Sequence, residues 1–370
     1  ARSLSADAAA ASVAGRCAPL FDRVTYLPRL PMRRVLMIAF QFPPFAGSSA
    51  IQRSLRFVQH LPRHGWEPLV LSATPQAYES TSEDLLETIP PGTVVERAPA
   101  WDAARHLSIG GRYPAFLARP DRWRTWSIWG GRVGRRMIAG YRPAAIWSTY
   151  PIATAHVLGA TLQRASGLPW VADFRDPMAQ QGYPADPATW RAFDRIEREA
   201  VQAARFSVFT TPGAAAMYRA RYPSLAARMR VIENGYDEET FTAVQPDKAL
   251  APLVPGRLTL LHSGVVYPEE RDPRHLIAAL SALKADGTAA TTPFVVRFRA
   301  SSQDGLLAGL AREQGVGDLV ELLPPVPYAQ ALDEMLRADA LLVLQAANCN
   351  QQIPAKLYEY LRAGRPVLAL

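Results

Sequence analysis

The sequence predicts an α/β protein of two Rossmann-like domains facing a cleft. Three observations carry that expectation. Apolar runs of strand length alternate with segments of helical period along most of the chain, the pattern of parallel strands joined by crossover helices. The alternation breaks once, over 236–256, where periodicity gives way to Ala and Pro, and then restarts. Finally, 370 residues amount to about two domains of chain, and 49% hydrophobic with 20% charged residues suffices for two cores.

The elements follow in order. An apolar run at 35–40 reads as a strand and ends in a Pro/Gly/Ser-rich loop at 41–49. Over 51–64, Ile51, Leu55, Val58 and Leu61 recur at helical spacing. Strands are expected at 66–71 and 144–148, a helix at 152–166, a strand at 169–174, a helix at 188–204 and a strand at 206–210. A short strand at 231–232 precedes Asn234-Gly235, a turn signal. After the linker at 236–256 come strands at 258–262, 294–298, 319–322, 340–344 and 367–370, with helices at 273–284, 305–314, 328–337 and 354–362 between them. The expected division is therefore an extension (1–32), a first domain (33–235), the linker, and a second domain (257–370). The chain ends inside an apolar strand, so the second domain is expected to be incomplete. Residues 1–32 are rich in Ala, Ser and Arg without a sustained period, and Asp7, Ser12, Gly15 and Arg16 interrupt any secretory apolar core, so a poorly ordered extension is expected.

Composition excludes several classes. No apolar stretch approaches the roughly 18–20 residues of a spanning helix. Two cysteines, Cys17 and Cys349, and six histidines form no metal-ligand spacing, so neither a zinc site nor a disulfide scaffold is expected, and a cytoplasmic setting fits. The net charge is +8, but all basic residues except Lys248, Lys284 and Lys356 are arginines, which points to coding bias and shifts attention to where charge clusters.

Four loops and helix starts carry candidate chemistry. Ala46, Gly47 and Ser48 lie between the first strand and first helix, where backbone can approach an anion at a helix N-terminus, and Arg53 stands one turn further on. Asp173, Arg175 and Asp176 follow a strand end, and Asp173 and Arg175 share one side of an extended segment, so they are expected to pair at the cleft. Gly264 and Arg271 sit in a second strand–loop–helix unit. With Asp272 as N-cap and Pro273 opening the helix, a cation there is unfavourable unless an anion joins it. Arg274 is a second candidate. Lys356, in the first turn of the last helix, shares a face with Glu359, as a solvated ion pair or as an anion site. A fifth feature, 101–142, holds nine arginines and four tryptophans (Trp101, Trp123, Trp126, Trp129). It suits an anionic membrane surface, or a helical pair with Trp in its core. A specific nucleic-acid partner is not expected.

Together these pieces resemble the retaining nucleotide-sugar glycosyltransferases of the GT-B fold, of the family-four (group 1) type. The resemblance spans about residues 33–370. FPPFAGSSAIQRSLRFVQHLPRHGWEPLVLSATP resembles that family's first loop, helix and second strand. WVADFRDPM, TTPGAAAMYRARYP, VIENGYD, RDPRHLIAAL and IPAKLYEYLRAGRPVLAL resemble its later landmarks, in order.

The resemblance implies that Ala46, Gly47 and Ser48 approach the donor diphosphate and that Arg271 binds it. Val265 and Val266 stand where a second basic residue is usual. Of two glutamates common in the family, the second, implied to hold the ribose, is Glu359, while the first is replaced by Gln351. A histidine frequent after the mid-sheet strand corresponds to Arg175 or Asp176. The implied reaction is metal-independent sugar transfer with retention, with no cofactor beyond the donor and a lipid-linked or saccharide acceptor. The place would be cytoplasmic, at the inner membrane face, in polysaccharide or glycolipid synthesis. A nucleotide-sugar epimerase matches the YEYLRAGRPVLAL signature less well. An inactive relative or a basic membrane- or nucleic-acid-binding protein is the other reading, to which Gln351 lends weight.

Overall fold

The computed structural model describes residues 32–46, 50–244, 251–268, 271–345, 349 and 351–370. Cys17 and all of the expected extension except Met32 lie outside the described residues. One sheet has seven strands: β1 (Arg33–Ile38), β2 (Trp66–Ala73), β3 (Val94–Ala98), β4 (Ala145–Thr149), β5 (Trp170–Arg175), β6 (Phe206–Phe209) and β7 (Met229–Val231). All pair in parallel, in the order β3-β2-β1-β4-β5-β6-β7. The accompanying helices are α1 (Ala50–His60), α2 (Ala103–His106), α3 (Trp126–Tyr141), α4 (Thr154–Ser166), α5 (Pro187–Ala203), α6 (Pro212–Arg221) and α7 (Glu238–Val244). A second parallel sheet runs β10-β9-β8-β11-β12, from β8 (Leu258–Ser263), β9 (Phe294–Arg299), β10 (Val320–Leu323), β11 (Ala340–Val343) and β12 (Val367–Ala369). Its helices are α8 (Arg274–Ala285), α9 (Thr288–Thr291), α10 (Asp304–Glu313), α11 (Tyr328–Arg337) and α12 (Ala355–Ala363).

Parallel strands covered on both faces need apolar side chains at every position, which is why β1 reads as an unbroken run. Leu36 and Ile38 enter one core with Leu158 and Leu162 of α4, whereas Val35 and Met37 enter another with Leu55 and Val58 of α1. The second sheet divides likewise, with Leu342 on one side and Leu341 and Val343 on the other. In each sheet the strand order reverses once beside the first strand, between β1 and β4 and between β8 and β11. Crevices for ligands open at such reversals, beyond the carboxyl ends of the strands. The loops leaving β1, β5, β8 and β11 carry the candidate residues.

Some sequence expectations give way. The helix expected over 51–64 ends at His60 and tightens into a 3₁₀ turn over Leu61–His64, where Pro62 supplies no amide and Gly65, at φ 77°, reverses the chain. The linker expected at 236–256 contains α7, whose Phe241 is fully buried and packs with the second domain's core. The patch at 101–142 is in part core. Trp126 is fully buried, and Trp123 packs on Phe40 with ring centroids 4.8 Å apart. Arg122 pairs with Asp102 and Glu79, Arg119 with Asp186 and Arg136 with Glu96. Trp101, Ile109, Phe116, Ile128 and Trp129 remain exposed.

Helix α4 meets β5 through Gly159, where an added methyl would lie 2.6 Å from the Trp170 ring. That ring is fully buried and its Nε1–H donates to Ser148 Oγ at 2.9 Å, so it cannot swing away. Gly159→Ala gains up to about 1 kcal/mol of helix propensity, but overpacking costs about 1–3 kcal/mol. We expect a net loss of about 1–2 kcal/mol in urea unfolding.

Candidate functional site

The first-domain half of the site is built on the end of β5. Asp173 is fully buried and accepts two hydrogen bonds from Arg53 of α1, both at 3.0 Å, and one from Thr149 Oγ1 at 2.9 Å. The pairing of Asp173 with Arg175 expected from sequence is therefore replaced. A register shift between the two residues and a φ of 62° at Arg175 turn its side chain elsewhere. The Arg175 guanidinium is buried and donates to the carbonyls of Tyr150 and Ala50 at 3.3 and 3.4 Å. Burial lowers its pKa, and Asp173 and Asp176 oppose that. Asp176 stands half-buried at the mouth of the following loop. Glu197 of α5 anchors that loop, accepting from Ala179 N at 3.1 Å and from the Tyr218 hydroxyl at 2.5 Å, while that hydroxyl accepts from Met178 N.

Arg53, which the sequence offered as a phosphate ligand, is thus committed to Asp173. It also donates to the Glu233 carbonyl and Asn234 Oδ1, at 3.2 and 3.3 Å, on the segment that leaves the first sheet.

The second-domain half gathers at β8, the loop after it and α12. Gly264, at φ 101°, bends the chain, and a side chain on it would lie 3.6 Å from Lys356 Nζ. Lys356 is half-buried, and its ammonium lies 2.8 Å from His262 Nε2. Burial and then Arg271 hold its pKa well below the ordinary lysine range, with Glu359 opposing them. Arg271 donates to the Val265 carbonyl at 3.0 Å and lies over the Tyr267 ring. Glu359 accepts from the Tyr328 hydroxyl at 2.8 Å, and its own burial raises its pKa. Of the two alternatives for Lys356 and Glu359, the solvated ion pair does not form. Both side chains are half-buried and point to separate partners. Gly264, Arg271, Lys356 and Glu359 are brought together. Helix α8 starts at Arg274, one residue later than expected, so Pro273 is the N-cap. Asp272 still accepts from Arg274 N at 3.0 Å. Arg274 is locked on Asp272 and largely exposed, which removes it as a ligand candidate.

Gln351 lies against the first domain. Its carbonyl accepts from Thr211 Oγ1 at 2.6 Å, and its carboxamide packs on Gly213 at the start of α6, where a methyl group would collide with it. Ala46 donates to the Ser80 carbonyl at 3.0 Å, while Gly47 and Ser48 lie outside the described residues. His262 was missed in the sequence. Its only signal was its place at the end of a strand, two residues before Gly264. Among the described residues, no group of three or more His, Cys, Asp or Glu is placed to hold a metal, and no helix is long and apolar enough to cross a membrane.

Removing Arg53 leaves Asp173 buried without its cation. We expect Arg53→Ala to lower unfolding stability by about 3–5 kcal/mol. The double variant Arg53→Ala/Asp173→Ala should lose clearly less than the sum of the single variants in urea titrations.

A model of the glycosyl transferase 4-like domain matches residues 50–235. No curated protein matches the sequence. Among solved structures, sucrose-phosphate synthase from Thermosynechococcus elongatus has a similar fold, at TM-score 0.63 and 15% identity, over 91% of this chain and 81% of that one. WaaG, a glycosyltransferase involved in lipopolysaccharide biosynthesis, gives 0.62 at 14% identity, over 90% and 80%. Anabaena HepE in complex with UDP-glucose gives 0.59 at 14%, over 91% and 80%.

Proposed function

The chain belongs to the glycosyl transferase 4-like family, and on that premise we propose that it moves a sugar from a nucleoside diphosphate donor to a lipid-linked or saccharide acceptor with retention. Residues 257–370 would bind the donor and 33–235 the acceptor. One observation carries this reading: Arg271 and Lys356 converge beside the bend at Gly264, at the strand-order reversal of the second sheet, and no carboxylate lies within ion-pair distance of the lysine among the described residues. Two cations so placed suit a diphosphate. The UDP-glucose complex of Anabaena HepE, a protein of similar fold, supports a nucleotide-sugar as donor.

In this reading the bond from the anomeric carbon to the diphosphate breaks as the acceptor oxygen attacks on the same face. A diphosphate oxygen takes the acceptor's proton. Arg271 and Lys356 stabilise the negative charge growing on the leaving group, the term that dominates catalysis of this kind. The Glu359 carboxylate, oriented by Tyr328, would receive the ribose hydroxyls. Ala46, Gly47 and Ser48 would approach the diphosphate, as the family resemblance implies. Asp173, Arg175 and Asp176 would shape the acceptor side, Asp173 through the frame it makes with Arg53. The exposed Trp101 and Trp129, with Arg132 over the Trp129 ring, would dock the first domain on an anionic membrane at its cytoplasmic face, in polysaccharide or glycolipid synthesis. A non-catalytic relative is the second reading, favoured by Gln351 facing Gly213 in place of a sugar.

A thermal-shift series with UDP, GDP, ADP and CDP should give a rise with one base, through linkage to the folded state. Arg271→Ala should fold normally and lose about 10²–10³ in turnover. A thermal shift without turnover in the wild type would support the second reading, and near-normal activity in the variant would remove Arg271 from the site. In co-sedimentation, the unmodified chain should bind vesicles containing anionic lipid in a salt-sensitive way, and Trp101→Ala/Trp129→Ala should bind them less.

A further inference from the structure

His262 is fully buried near the end of β8. Its Nδ1 lies 3.0 Å from the Leu342 carbonyl of β11. A carbonyl only accepts, so Nδ1 carries the proton. A neutral imidazole has one N–H, so Nε2 presents a lone pair. That lone pair faces the Lys356 ammonium at 2.8 Å. The groups facing the imidazole are Lys356 of α12, Arg271 before α8, and the Leu342 and Val265 carbonyls. Glu359 faces Lys356 from one turn along α12, and Tyr360 beside it donates no charge, its hydroxyl accepting from Ser263 N at 2.9 Å. Burial and the two cations keep His262 uncharged, its pKa well below the ordinary value.

Resting on the donor-site reading above, we infer that His262 is the positioning residue of that site: a neutral acceptor that aims the Lys356 ammonium at the donor's diphosphate without cancelling its charge. An apolar residue at 262 would leave a half-buried ammonium without its acceptor. A carboxylate would hold it more strongly but would compete with the diphosphate for the same charge. Imidazole, with its tautomer set by Leu342, avoids both. One of the three ammonium donors is spent on His262. The bare Gly264 keeps the adjoining space open, since any side chain there would meet the lysine's head.

The test is a double-mutant cycle on the full chain, by calorimetry with inorganic pyrophosphate and with whichever of UDP, GDP, ADP or CDP raises Tm. His262→Leu should weaken binding about tenfold to a hundredfold, the effect of a lost hydrogen bond to a charged group. In a Lys356→Met background the same change should do nothing further. His262→Gln, which keeps an acceptor, should recover part of the affinity, and it carries the comparison if the leucine variant fails to fold. Binding requires the protonated lysine, so affinity falls as pH rises through the Lys356 deprotonation. Losing the acceptor disfavours the charged form, so this fall should move to lower pH in His262→Leu. Wild-type affinity in His262→Leu, an unmoved pH profile, or equal losses in both backgrounds would overturn the role of His262 alone. A wild type that binds no nucleoside diphosphate or pyrophosphate would overturn the donor site and this inference together.

Discussion

A half-buried ammonium facing a buried imidazole is the constraint around which the second domain's site is arranged. Removing a charge from water costs several kcal/mol, and a protein ordinarily offsets that with an adjacent carboxylate. Among the described residues, Lys356 has the His262 lone pair and the longer-range field of Glu359, with Arg271 acting against it. The arrangement is unfavourable in isolation and becomes favourable when a dianion enters. The features around it follow from that requirement. Gly264 carries no side chain, Arg271 is tethered to its own loop by the Val265 carbonyl, and Tyr328 draws Glu359 away from the lysine.

The two halves are coupled through the segment that joins the sheets. That segment carries Glu233, Asp237, Glu238 and Glu239, and arginines from both sides hold it. Arg53, Arg56 and Arg63 reach from α1 and the turn after it, and Arg362 reaches from α12. The Arg63–Glu239 pair is exposed and worth at most about 1 kcal/mol. Arg53, with a side chain only 6% exposed, matters more, because one guanidinium fixes the buried Asp173 and the departing chain together. Helix α12 carries both Lys356 and Glu359 and the Arg362 that grips Glu238, so the joining segment and the cationic pocket share one element.

The sequence displayed the parallel sheets plainly, because strands buried on both faces leave unbroken apolar runs. It hid β3, whose Glu96 and Arg97 interrupt the run at a sheet edge, and α3, whose glycines at 130, 131 and 134 weaken a helical signal but let α4 pack closely. The Arg and Trp cluster held two populations that composition cannot separate. Trp126 and Trp123 face the core, whereas Trp101 and Trp129 face outward. At the site, Gly264, Arg271, Lys356 and Glu359 were legible from loop chemistry and helix-end electrostatics. Their partners were not. Asp173 takes Arg53, 120 positions away, in preference to Arg175, and Lys356 takes His262, 94 positions away, in preference to Glu359. Spacing along a chain reports which face a residue shares, but pairing is decided by which elements the sheet order brings side by side.

Gln351 shows the same rule acting between domains. Where a second glutamate is usual in the family this chain resembles, a carboxamide sits against Gly213, and the neighbouring carbonyl accepts from Thr211. A side chain at Gly213 would displace the carboxamide from this position. The carboxamide and the glycine thus fit one another without reference to a sugar. With Gln351 drawn to the first domain, Glu359 is the carboxylate left beside the cationic pocket, and its hydrogen bond from Tyr328 points it away from Lys356.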